Sequence, residues 1–192
     1  MRRVWLVRHG ATTAPPGAAI GSTDAPLSDE GLAQAGHLAA QLAGRPLQRV
    51  LSSDLKRALS TADAIAAAHN LAVEATPALR EIDFGAWEGR SLADLWSEDP
   101  EAARAWEEDI RSTPPTFGED LGSLQRRVEA YWRSVDPLCD GEIAIVAHRC
   151  SLAVVRALIT GESMEEAFSV PLELGVAVAV AATDQGLPES VP

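Results

Sequence analysis

The pattern of apolar and polar positions alternates between two periods along the chain. Val4 to Val7 is a short, wholly apolar run rich in β-formers, the pattern of a strand buried on both faces. Ser28 is placed to cap a helix with Asp29 and Glu30 in its first turn; Leu32, Ala35, Ala39 and Leu42 then share a face until Gly44 and Pro46 stop it. Val50 and Leu51 predict a second strand, and "SSDLKRALSTADAIAAAH" predicts a helix capped by Ser53 with Leu55, Leu59, Ala62 and Ile65 along one stripe. Ala72 to Ala75 reads as a weaker third strand. Helical spacing recurs over 91–110 and 119–136. "EIAIVAH" is another buried strand, a helix follows from Ser151 to Thr160 with Gly161 at its end, and "GVAVAVAA" is a last strand. This alternation predicts an α/β fold with a mostly parallel sheet covered on both faces. There is no internal repeat or low-complexity linker, so residues 1–192 are expected to form a single domain.

Composition narrows the partners. The chain is 46% hydrophobic and 23% charged, enough to bury one sizeable core. Its net charge of −12 repels polyanions, and no Lys or Arg run offsets it, which argues against a nucleic-acid or anionic-membrane partner. Only four apolar residues precede Arg8, too few for a signal-peptide core, and "GVAVAVAA" is too short to span a bilayer. Cys139 and Cys150 form no CxxC pattern, so neither a disulfide framework nor a zinc site is indicated. A cytoplasmic location is the expectation.

Two predicted strands end in histidine, His9 and His148, and ligands of open α/β sheets sit at the carboxyl ends of strands. Taken singly, each histidine reads equally as a strand-end side chain satisfied by hydrogen bonds. The neighbours shift that balance. Arg8 stands beside His9, and Arg57 falls in the first turns of a helix, where the dipole disfavours a cation unless it meets a bound anion.

The segments "LVRHGAT", "GSTDAPLSDEGLAQA", "SSDLKRALSTA", "LREIDFGAWEG" and "IVAHRCSLAVVRALITG" resemble, in order and spacing, the histidine phosphatase superfamily, the phosphoglycerate mutase-like proteins. The resemblance implies a three-layer α/β/α sandwich and a metal-independent, cofactor-free phosphomonoesterase. It implies His9 as the nucleophile that forms a phosphohistidine, Arg8, Arg57 and His148 around the transferring phosphoryl group, and Glu81 as proton donor to the leaving oxygen. Thr12, Gly21, Ser22 and Arg149 complete the implied substrate-binding set. The partner so implied is a small phosphorylated molecule; the sequence leaves the oligomeric state open.

Some positions depart from the family's pattern. Ala11 and Pro15 replace the Glu and Asn common there, and "HRC" puts Arg149 and Cys150 where Gly or Ala is usual. Arg149 either adds positive charge near the substrate or points to solvent, and Cys150 reads as a small buried hydrophobe. Ala153 stands where an arginine often occurs, with Arg156 one turn on. "FGAWEGRS" and "WEEDIRSTPPTFGEDLGSLQRRV" look most like the bacterial alpha-ribazole phosphatase and broad-specificity phosphatase group. That likeness makes alpha-ribazole 5′-phosphate the first substrate to consider. A small 2,3-bisphosphoglycerate-dependent mutase and a non-catalytic phospho-ligand-binding module are the alternatives. Trp87, Trp96, Trp106 and Phe117 either line the mouth of the site or belong to the core.

Overall fold

The computed structural model describes residues 3–135 and 141–182. Strands β1 (Arg3–Arg8), β2 (Leu47–Ser53), β3 (Val73–Thr76), β4 (Glu142–Ala147) and β5 (Ala177–Ala181) form one sheet in the order β3-β2-β4-β1-β5. The first four are mutually parallel, and β5 pairs antiparallel with β1. Alternate residues of the central strands face opposite layers. Leu6, Ile143 and Ile145 pack under α5 (Leu121–Ser134) and α6 (Arg149–Thr160), with Leu124, Val128 and Leu152. Val7, Ala144 and Val146 face α1 (Asp29–Leu42) and α2 (Lys56–Ala67), with Leu38, Leu42 and Ile65. The result is a three-layer α/β/α sandwich.

Several elements differ from the sequence expectation. The buried stripe of α1 is Gly31, Ala35, Leu38 and Leu42, whereas Leu32 is 56% exposed. A Cβ on Gly31 would lie 1.9 Å from the Ala11 carbonyl oxygen, so the helix turns its glycine face to the loop after β1 and Leu32 outward. Ser28 does cap α1, accepting from Gly31 N at 3.2 Å. Ser53 does not cap α2. Leu55 occupies that position without a side-chain bond, and Asp24 from a distant loop accepts from Lys56 N at 2.7 Å.

The helical stretch 91–110 is split into α3 (Leu92–Glu98) and α4 (Pro100–Glu108), because Asp99 leaves helical geometry before Pro100. The later helix predicted over 119–136 spans Leu121–Ser134, and residue 136 lies outside the described residues. The last long helix starts at Arg149 rather than Ser151, and a further short helix, α7 (Met164–Ser169), forms where the apolar pattern predicts none. Cys139 lies outside the described residues.

Candidate active site

Parallel neighbours β1 and β4 lead to helices on opposite faces of the sheet, and this divergence opens a crevice at their carboxyl ends. His9 follows β1 directly and His148 follows β4. Their ring centroids are 4.9 Å apart with the planes tilted by 59°. A cavity of about 640 Å³ opens there, with Arg8, His9, Thr12, Arg57, Glu81 and Arg149 on its wall.

Geometry and burial together fix the state of His9. Its Nδ1 lies 2.8 Å from the Gly10 carbonyl oxygen, which can only accept, so Nδ1 carries a proton; with the buried ring neutral, Nε2 keeps its lone pair. Burial pushes the His9 pKa down to about 3; the Gly10 bond opposes this, and the Arg57 and Arg8 charges add to it. A neutral imidazole with a free ring nitrogen is a competent nucleophile near neutral pH.

Two guanidiniums flank it. Arg57 is fully buried, and its Nε donates to His148 Nδ1 at 3.2 Å. Its Nη1 donates to the Thr23 carbonyl at 2.7 Å, and Nη2 donates to those of Gly21 at 2.7 Å and Ile20 at 3.4 Å. These bonds leave one Nη1 hydrogen for a ligand. Arg8 is less engaged. Its Nη1 donates to the Leu172 carbonyl at 2.8 Å, and its buried Nε has no hydrogen-bond partner. A buried N–H without a partner is costly, and an oxyanion in the cavity would supply one. Burial weakens the hold of both guanidiniums on their protons, and the Glu81 charge opposes this at each.

His148 is almost wholly buried and sits behind the cavity wall. Because Nδ1 accepts from Arg57, its proton is on Nε2, which donates to Ser53 Oγ at 2.9 Å. Burial pulls its pKa well below the ordinary value, and the His9 and Arg57 charges act in the same direction.

Glu81 is buried on the wall of the same cavity. Its carboxylate accepts from Cys150 N at 3.1 and 3.3 Å and from its own neighbour Ile82 N at 3.0 Å. Burial, with the Glu81 carboxylate beside it, pushes the Cys150 thiol pKa well up, so it stays protonated. Asp83 is occupied elsewhere, accepting from Ser22 Oγ at 3.1 Å and Gly85 N at 2.8 Å.

The sequence profile of the histidine phosphatase superfamily (branch 1) matches residues 4–189. The chain belongs to that superfamily. It is similar to the adenosylcobalamin/alpha-ribazole phosphatase of Salmonella typhimurium, with 38% identity over 160 residues, 81% of this chain and 79% of the relative. The crystal structure of the alpha-ribazole phosphatase from Shigella flexneri superposes with a TM-score of 0.83 at 32% identity, covering 95% of this chain and 92% of that one. Phosphoserine phosphatase 1 of Hydrogenobacter thermophilus is 31% identical over 171 residues, 88% of this chain and 81% of the relative. The protein is therefore a phosphomonoesterase of the histidine phosphatase type, acting on a small phosphorylated substrate.

Within this histidine phosphatase, not every residue singled out by sequence reaches the cavity. Gly21 and Ser22 do not line it: both amides donate to the Glu88 carboxylate, and the Ser22 hydroxyl donates to Asp83. Arg149 is exposed on the wall, at the first residue of α6. Arg156 is not on the wall; it forms a two-point pair with Glu162 at 2.8 Å. Of the four aromatics between Trp87 and Phe117 only Trp106 lines the cavity, joined by Phe84. Trp87 is core, and Phe117 is 92% exposed.

Sequence reasoning missed the Ser53 contact with His148. It also missed Arg127, whose guanidinium donates to the carbonyls of Ala78, Arg80 and Glu81 at 2.7–2.9 Å and holds the strand-like backbone that carries Glu81. No periodic signal marks such long-range polar pairs. Among the described residues, no group of three or more His, Cys, Asp or Glu side chains is placed to hold a metal ion, and no helix is long and apolar enough to cross a membrane.

Proposed function

We propose that this histidine phosphatase hydrolyses alpha-ribazole 5′-phosphate through a phosphohistidine on His9. One observation carries the mechanism: the unprotonated Nε2 of His9 belongs to a cavity whose wall also bears Arg8, Arg57 and Glu81. Nε2 attacks phosphorus and the P–O ester bond breaks. The departing alkoxide takes the proton of the Glu81 carboxylic acid. Arg8 and Arg57 compensate the charge spread over the phosphoryl oxygens, which is most of what this reaction asks of a protein. Water then attacks the phosphohistidine, Glu81 accepts its proton, and inorganic phosphate leaves with His9 restored. His148 orients Arg57 from behind.

The substrate assignment rests on the named relatives and on the far wall of the cavity. Pro15, Pro16, Ala18, Ala19, Phe84 and Trp106 give the cavity apolar lining suited to an aromatic heterocycle. We take residues 1–192 as one histidine phosphatase domain acting in the cytoplasm. The extent of the family match and the unpaired Cys150 thiol support that reading, and the net charge of −12 speaks against a nucleic-acid partner.

The test is rapid acid quenching during turnover of phosphate-labelled alpha-ribazole 5′-phosphate. Label on His9, lost in a folded His9→Ala protein, and turnover indifferent to EDTA are expected. Label on Cys150, or activity restored only by added metal, would overturn the mechanism. Phosphate transfer between monophosphoglycerates on adding 2,3-bisphosphoglycerate, without net release, would favour a mutase.

A further inference from the structure

Glu88 follows a 3-10 turn at Gly85–Trp87 and lies outside the cavity wall, yet its carboxylate gathers main chain from two separate segments. Its Oε1 accepts from Gly21 N at 3.0 Å, Ser22 N at 2.9 Å and Phe84 N at 3.0 Å. Its Oε2 accepts from Thr23 N at 3.0 Å and shares Gly21 N at 3.2 Å. Charge-assisted bonds of this kind are roughly twice as strong as neutral ones. The strip 21–23 therefore has a carboxylate on its amide side. On its carbonyl side it has Arg57, which donates to Gly21 O and Thr23 O at 2.7 Å each.

The fit leaves no slack. A Cβ on Gly21 would lie 2.0 Å from the Ile82 carbonyl oxygen and 2.6 Å from Glu88 Oε1, so the strip is pressed onto the backbone just beyond Glu81. Where residues 21–23 sit decides where the Arg57 guanidinium sits, and Arg57 in turn holds His148.

We propose that Glu88 is a positioning residue for phosphoryl transfer, fixing the main chain of residues 21–23 so that Arg57 is held in place between His148 and the cavity. This rests on the reading that Arg57 serves the transferring phosphoryl group. Glu88→Gln puts an NH2 opposite at least one of the bound amides and removes the charge that gathers them. Arg57 then loses its fixed acceptors without itself being altered. Misplacing a catalytic group by about 1 Å can cost about 100-fold.

The test is a double-mutant cycle with p-nitrophenyl phosphate, whose leaving group needs little acid help and so isolates Arg57 from Glu81. Arg57→Ala, Glu88→Gln and the double variant are compared in kcat, KM, inhibition by inorganic phosphate, and thermal melting. Glu88→Gln should lower kcat/KM by about 10- to 100-fold, with the same division between kcat and KM as Arg57→Ala. In the Arg57→Ala background the further loss should be under about threefold, because the residue through which Glu88 acts is gone. Phosphate inhibition should weaken in Glu88→Gln and weaken no further in the double variant.

Losses that multiply in full, or a fully active Glu88→Gln, would overturn the proposal while leaving the role of Arg57 intact. A fully active Arg57→Ala removes that role itself, and the proposal with it. If Glu88→Gln does not fold, Glu88→Asp, which keeps the charge on a shorter arm, is carried through the same cycle: losses absorbed by Arg57→Ala support the proposal, and losses that multiply in full overturn it.

Discussion

The Nε–H of Arg57 donates to Nδ1 of His148 across 3.2 Å, and that bond occupies the lone pair with which His148 could attack phosphorus. His148 has one nitrogen accepting from Arg57 and the other donating to Ser53, whereas the Nε2 of His9 carries neither a proton nor a protein partner among the described residues. The bonds of His148 require its imidazole to be neutral and burial keeps His9 neutral, with consequences for acid stability.

Folded His9 has its pKa lowered to about 3 and folded His148 has its pKa lowered as well, so in both cases the unfolded chain binds the proton first. Their contribution to stability is complete above about pH 6.5 and is lost as pH falls below it, for His9 toward about 3, at roughly 1 kcal/mol per pH unit for an imidazole that stays neutral in the folded chain. Urea unfolding at about pH 7 and about pH 5 should show this fall, before the paired carboxylates Glu142, Asp54 and Glu74, whose pKa values are lowered, begin to titrate. His148→Gln should flatten the slope. An unchanged slope would mean that His148 is not held neutral.

Arg8 has a buried Nε without a partner, so its contribution should appear in turnover more than in folding. Arg8→Ala is expected to raise the barrier by about 2–4 kcal/mol, and Arg8→Lys should recover little because an ammonium cannot reproduce the guanidinium fork. Single-turnover rates alongside melting curves check this; a variant that melts early but turns over normally would contradict it.

Glu81 should matter in proportion to how badly the leaving group needs a proton. Glu81→Gln should slow phosphoenzyme formation from an alkyl phosphate by roughly 100-fold or more, and from p-nitrophenyl phosphate far less. The comparison belongs to the first step, since Glu81 also serves water in the second. Equal losses would transfer the donor role to another group, with Asp83 the next carboxylate to test.

Trp106 supplies the aromatic part of the far wall and packs edge-on against Trp87 at 5.6 Å and Phe84 at 6.4 Å. Trp106→Ala should raise KM for alpha-ribazole 5′-phosphate by about 2- to 10-fold while changing kcat/KM for glycerol phosphate little, since ring stacking beyond simple burial is worth about 0.5–1.5 kcal/mol. Parallel losses on both substrates would place Trp106 in the scaffold instead.

Strands β1 and β4 were legible because an interior parallel strand must be apolar on both faces, and each such run breaks off at a histidine. The Ser28 cap was legible for a local reason: donor and acceptor lie three residues apart. Ser53 looked locally like a cap too, but its hydroxyl is taken by His148, which is remote in sequence. Leu32 fitted the helical period, yet the close approach of Gly31 to Ala11 turned it to solvent. Gly21 and Ser22 belong to the substrate-binding set that the resemblance implies, yet their amides are held by the carboxylate of Glu88. In the site, what escaped the sequence was polar pairing between distant segments, which leaves no periodicity to read.

The position of β1 in the sheet carries an implication for synthesis. Both of its neighbours, β4 and β5, lie in the last third of the chain. As the polypeptide leaves the ribosome, Val4-Trp5-Leu6-Val7 must wait for more than a hundred further residues before either edge is paired. Pairing at such long sequence separation is slow, and an open apolar strand is prone to association in the meantime. The nucleophile at the end of that strand is made long before β4, and the pocket that gives it a purpose closes only once β4 and the helix after it have followed.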